Sequence, residues 1–165
     1  MRAVLDQSDR IEELAHVISN SRSMFFLGRN INFPVALEGA LKMKEISYIH
    51  AEGYPGGELK HGPLALVTEE TPVVAVAVKD QTYEKMLGNI GEVSARGALV
   101  IAIGTEGDRE LDKYADHVIY IPKVHPLFTP ILVSVVMQLL AYHTANILGC
   151  EIDKPRHLAK SVTVE

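Results

Sequence analysis

Between Leu37 and His61 the chain reads LEGALKMKEISYIHAEGYPGGELKH, and ionisable residues recur there at helical spacing. At about 100° per residue, Glu38, Lys42 and Glu45 fall within roughly 60° of one another on a helical wheel. The rest of the wheel is nearly all apolar, with Phe33, Leu37, Ala40, Leu41 and Tyr48 on one side and Val35, Ala36, Met43 and Ile46 on another. Such a helix is expected to be largely buried. A charged stripe on it is costly unless its members pair or face a polar cavity. Two readings stay open. One is a structural i,i+4 pair, Glu38 with Lys42, beside a solvated Glu45. The other is an active-site edge, with Glu45 as general base and Lys42, at i,i+3, reaching the same ligand as its electrostatic partner.

The next segment, Ala51 to His61, adds Glu52, Tyr54, Glu58, Lys60 and His61 in what reads as a loop containing Gly53, Pro55, Gly56 and Gly57. The Gly-Gly pair permits positive φ and close backbone approach. His61 precedes Gly62-Pro63, and taken alone it reads as a turn residue. No other constellation competes. Gly28 opens no GxGxxG, no GxxxxGK[ST] occurs, and the seven histidines form no HExxH or paired ligand spacing. Dinucleotide, P-loop and zinc chemistry are therefore unsupported, and neither cofactor nor metal is expected. GxSxG is also absent.

The elements that must position these residues follow from periodicity. Ile11, Leu14, Ala15 and Ile18 mark an amphipathic helix, for which Ser8 or Asp9 is a candidate cap. Four apolar runs read as buried strands: Met24–Gly28, Val73–Val78, Ala98–Ile103 and His117–Ile121. Helices are expected over Tyr83–Ala95, ahead of Gly97, and over Pro130–Leu148, ahead of Gly149. Strands alternating with helices give a three-layer α/β/α fold, with a parallel, flavodoxin-like sheet of four to five strands. Ligands of such sheets bind at the carboxyl ends of the strands, here after Leu27, Val78, Ile103 and Ile121.

Length and charge agree. At 165 residues the chain suits one domain, spanning 1–165, with 150–165 as a tail. A net charge of −5 without a basic stripe argues against nucleic acid. The sole cysteine, Cys150, excludes an intrachain disulfide and suits a reducing cytoplasm. Residues 1–14 have no apolar core, so they are no signal peptide. The run Pro130–Leu148 is interrupted by Ser134, Gln138, His143, Thr144 and Asn146, as in a buried helix rather than a membrane span.

The stretch ALEGALKMKEISYIHAEGYPGGELKHGPLALV, together with the ending DKPRHLAKSVTVE, resembles the second sugar-isomerase (SIS) subdomain of the glutamine–fructose-6-phosphate aminotransferase family, the glucosamine-6-phosphate synthases. The resemblance runs from about residue 10 to the end. It implies conversion of fructose 6-phosphate and glutamine to glucosamine 6-phosphate and glutamate. By matching position it implies Glu45 as the base moving a proton between C1 and C2, and Lys42 as the cation stabilising the enolamine. It implies His61, from a partner subunit, in sugar ring opening, and Lys160 as the amine forming an imine with the open-chain sugar. Ala159 and Lys160 would contact substrate, so the tail would contribute to the site. A homodimer or a partner SIS subdomain is implied.

Two departures stand out. The family holds phosphate with a Ser/Thr-rich loop in its first SIS subdomain, whereas Lys79-Asp80-Gln81-Thr82 cannot supply that cradle. The family's glutaminase nucleophile has no counterpart, since Cys150 lies in the wrong place. The expectation is therefore an isolated C-terminal piece or a split protein, binding sugar phosphate weakly and inactive alone. The rivals are a fructosamine-phosphate deglycase-type SIS enzyme and a non-catalytic sugar-phosphate-binding or assembly module.

Overall fold

The computed structural model describes residues 1–158. Five parallel strands form one sheet: β1 (Ser23–Gly28), β2 (His50–Pro55), β3 (Val73–Ala77), β4 (Val100–Thr105) and β5 (His117–Ile121). Their order is β2-β1-β3-β4-β5, the flavodoxin-like arrangement. The helices are α1 (Arg2–Leu5), α2 (Ser8–Ile18), α3 (Asn32–Ser47), α4 (Tyr83–Ser94) and α5 (Thr129–Ile147).

Alternation along the strands builds two cores. Met24, Phe26, Val74, Val76, Ile101, Ile103, Ile119 and Ile121 pack with α1, α2, α3 and α5 on one face. Phe25, Leu27, Val73, Ala75, Ala77, Val100 and Ala102 pack with α4 on the other. The buried positions of α2 are Ile11, Leu14, Ala15 and Ile18, the four that its periodicity selects. The cap is different. Gln7 occupies the N-cap without a side-chain capping bond, and Ser8 Oγ instead shares a 2.9 Å hydrogen bond with His143 Nε2 of α5.

Two local readings need correction. The segment after α3 is not a loop: His50–Pro55 pairs in register with β1, from Ser23 opposite His50 to Gly28 opposite Pro55. It is an edge strand, where polar residues and a terminal proline are tolerated. A 3-10 turn, Gly56–His61, follows it. Nor is α3 buried all round. Its core face is Asn32, Val35, Ala36, Gly39, Ala40, Met43 and Ser47, while Leu37 and Leu41 are exposed.

The segment Pro126–Ile147 is long and apolar enough to cross a membrane by length and composition, and half of it is buried here. Its α5 portion lies against α2 and α3, and its polar His143 and Thr144 are buried within that packing.

Candidate active site

The 16 residues of α3 span about 24 Å, and the helix runs antiparallel to the strands it connects. It starts at the carboxyl edge of the sheet and ends near the amino edge. Glu45 therefore sits about 20 Å along the helix from Asn32. The Lys42–Glu45 pair is on the outer flank of the α3 layer, not at the carboxyl ends of the strands where the general rule for such sheets points. Helical spacing, not a strand-end loop, sets where this pair lies.

Lys42 Nζ donates to Glu45 Oε2 at 2.6 Å and lies 3.8 Å from Glu38 Oε1. The three charged residues thus form one group, with Lys42 between two carboxylates. Lys42 and Glu45 are half-buried, their side chains 32% and 27% exposed. The hydrogen bond to Glu45, helped by the negative charge of both glutamates, holds Lys42 above its ordinary 10.5 against the opposing effect of burial. Lys42 is therefore a fixed cation at neutral pH. It is suited to stabilising developing negative charge and unsuited to acting as a base.

The chain after α5 folds back over this pair. Lys42, Glu45 and Ile46 line a cavity of about 740 Å³ together with Ile152, Asp153, Lys154, Pro155 and Leu158. That volume suits a small-molecule site. Two residues that the sequence gives no reason to single out hold the returning chain down. Tyr48 terminates α3 in the left-handed conformation, with φ 63°. Its hydroxyl accepts the Arg156 backbone N–H at 2.9 Å, and the Arg156 guanidinium sits 4.0 Å from its ring centroid. Closer to α5, Cys150 Sγ donates weakly to the Ser47 carbonyl at 3.9 Å. Ala159 and Lys160, the expected substrate-contacting pair, lie outside the described residues.

His61 lies elsewhere. Its turn buries Leu59 in the core of the α4 face, opposite the α3 layer. Arg29 fastens the turn: its guanidinium bonds Asn89 Oδ1 of α4 at 2.7 Å, and Gly56 and Gly57 pack against Asn89 and Arg29. Lys60 pairs with Glu92 of α4 at 2.9 Å. The His61 ring is exposed and bonds Glu58 Oε2 through Nδ1 at 2.6 Å. The fold thus brings Lys42 and Glu45 together under the returning chain and presents His61 outward from the other layer. Among the described residues, no group of three or more His, Cys, Asp or Glu side chains is placed to hold a metal.

A flavodoxin-like parallel sheet with a half-buried Lys–Glu ion pair on its first crossover helix describes the fold and the candidate site. The chain belongs to the SIS domain family, whose model matches residues 17–148.

Within that family it is homologous to the C-terminal SIS region of the glutamine–fructose-6-phosphate aminotransferases. It is 58% identical, over all of its 165 residues, to the isomerizing glutamine–fructose-6-phosphate aminotransferase of Methanosarcina acetivorans, and covers 27% of that protein. The chain thus spans about a quarter of the length of the curated relatives it matches. A solved C-terminal domain of glucosamine-fructose-6-phosphate aminotransferase from Francisella tularensis superposes with a TM-score of 0.85 at 40% identity, over 92% of this chain and 43% of that one. Glucosamine-6-phosphate deaminase from Thermotoga maritima does so with a TM-score of 0.70 at 29% identity, over 97% of this chain and 48% of that one.

Proposed function

We propose that this chain is the C-terminal isomerase subdomain of a glutamine–fructose-6-phosphate aminotransferase. The whole enzyme would convert fructose 6-phosphate and glutamine to glucosamine 6-phosphate and glutamate. Glu45 is the base that shuttles the proton between C1 and C2, a role that requires it to reach both carbons. Lys42, held cationic, offsets the negative charge that builds on the enolamine. Lys160 condenses with the open-chain carbonyl as an imine, releasing water. His61, facing away from this cavity, serves ring opening in the site of a partner subunit. A cytoplasmic setting fits these metabolites.

One observation carries the reading. The Lys42–Glu45 pair shares its cavity with Ile152–Leu158, the segment that leads directly into Ala159 and Lys160. That shared lining supports a role for the carboxyl-terminal segment in the same site as Glu45.

The test is imine trapping. The purified chain is incubated with excess fructose 6-phosphate and cyanoborohydride, then digested and mapped by mass spectrometry. The expected result is a reduced sugar-phosphate adduct concentrated on Lys160, lost in Lys160→Arg, with no net conversion when ammonia replaces glutamine. An adduct spread evenly over surface lysines, or none on Lys160, overturns the assignment. Conversion by the chain alone overturns the division of the site between subdomains.

A further inference from the structure

The carboxyl edge of the sheet, left unused by Lys42 and Glu45, holds a second cavity of about 500 Å³. It lies at the point where strand order reverses between β1 and β3, the position that most favours a ligand in this class of sheet. Asn30 and Ile31 follow β1, Asp80 and Gln81 follow β3, and His125 and Leu127 approach from the segment after β5.

The chemistry of this crevice runs against phosphate. Among the described residues, no lysine or arginine lines it, and Asp80 is its one carboxylate. Asp80 Oδ1 accepts from the Thr82 backbone N–H and from Thr82 Oγ1, both at 2.7 Å. These donors stand at the N-terminus of α4, where an anionic ligand would otherwise be gripped. Asp80 Oδ2 accepts one bond, from Asn32 Nδ2 at 2.9 Å. A carboxylate has about four acceptor positions, so Oδ2 keeps capacity for a further donor. Asn32 itself is 1% exposed and does not line the cavity. The Asp80 charge and its open acceptor position favour a cationic ligand that donates hydrogen bonds.

We infer that the crevice between the carboxyl ends of β1 and β3 binds a small ammonium-bearing polyol, an amino sugar without phosphate, with Asp80 as its counter-ion. The ammonium group donates toward Asp80 Oδ2, Gln81 and His125 offer partners for hydroxyls, and Ile31 and Leu127 cover the apolar face of the ring. This site is separate from the Lys42–Glu45 cavity and does not depend on the role proposed there.

The experiment is an amide-NMR titration of the full chain with glucosamine, glucose and inorganic phosphate. Glucosamine is expected to give saturable shifts at Asn30, Ile31, Gln81 and Leu127, with phosphate giving none there and glucose binding at least about 10-fold more weakly. Asp80→Asn keeps the Oδ1 acceptor and removes the charge, and it should weaken glucosamine about 10-fold or more. Leu127→Trp, which narrows the crevice and leaves the Asp80 bonds intact, should also weaken it and decides the matter if Asp80→Asn does not fold. Glu45→Gln should leave the titration unchanged. Equal binding of glucose, phosphate shifts at the crevice, insensitivity to Leu127→Trp, or no saturation by about 50 mM would overturn the proposal.

Discussion

Tyr48 is the most informative residue to perturb, because it ties the end of α3 to the chain that roofs the Lys42–Glu45 cavity through both its hydroxyl and its ring. Its hydroxyl accepts the Arg156 N–H, and its ring carries the Arg156 guanidinium. Tyr48→Phe removes only the hydrogen bond, a net contribution of about 1 kcal/mol. Tyr48→Ala also removes the cation–π contact, about 0.5–1 kcal/mol more at an exposed site. Local opening of the returning segment should therefore rise about 5-fold in Tyr48→Phe and about 15–30-fold in Tyr48→Ala. The assay is native-state hydrogen exchange at the Arg156 amide, whose bond breaks when the segment lifts. Global stability, followed by urea unfolding, should change far less than Arg156 protection in Tyr48→Phe. If the Arg156 amide is unprotected in the wild type, or equally protected in Tyr48→Ala, the segment is not held by this contact and the shared-cavity argument fails.

Three further expectations follow from the same geometry. A double-mutant cycle on Lys42→Met and Glu45→Gln should give a coupling of about 0.5–1 kcal/mol by urea unfolding, as for a half-exposed pair; a coupling above about 2 kcal/mol would mark the pair as a structural buried bridge. Gly53→Ala would set a Cβ 2.9 Å from the Leu37 Cα, a backbone contact that cannot relax cheaply. It should cost about 1–3 kcal/mol, whereas Gly88→Ala, on the exposed side of α4 with nothing within 4 Å, should add about 0.5–1 kcal/mol; thermal scans showing both changes in one direction would refute the close-approach argument. The Tyr54 hydroxyl bond, the main cause, holds Glu52 below its ordinary 4.5. Its stabilisation is thus complete above 4.5 and lost as pH falls through the lower folded-state value, so a carboxyl NMR titration of Tyr54→Phe should bring Glu52 back toward 4.5, and an unmoved midpoint would refute the assigned cause.

Legibility in the sequence tracked how much each feature depends on burial. β1, β3, β4 and β5 are covered on both faces, so each announces itself as an apolar run. β2 does not, since its HAEGYP carries polar residues, a glycine and a proline and is mostly only partly buried, whereas β5, the other edge strand, keeps an apolar run. The same limit applied to α3. Its wheel is apolar nearly all round, but periodicity cannot tell a buried leucine from Leu37 or Leu41, exposed on the face away from α5. Lys42 and Glu45 were legible because i,i+3 spacing settles their proximity locally. Tyr48 and Arg156 were not, because their contact spans 108 positions and leaves no local pattern. Ser8 was misread as a cap because its actual partner, His143, is 135 positions away.

Under the proposed function, an acid/base pair and a phosphate grip need not share a subdomain. A base and its cation require two side chains at i,i+3, which any helix flank can provide and which tolerates a site far from the strand ends. A phosphate grip requires unpaired backbone N–H groups converging at a loop that opens a helix. In this chain that loop is Lys79–Thr82, and its own carboxylate already occupies the donors, with Asp80 Oδ1 on the Thr82 N–H and hydroxyl. A dianionic phosphate entering there would meet a like charge and find its hydrogen bonds taken. Lys79, the cation within this loop, is engaged with Asp108 at 3.2 Å. On the proposed function, Glu45 and Lys42 supply the proton transfer from α3 while the strand-end loop is occupied by its own Asp80, so that function requires another surface to hold the phosphate.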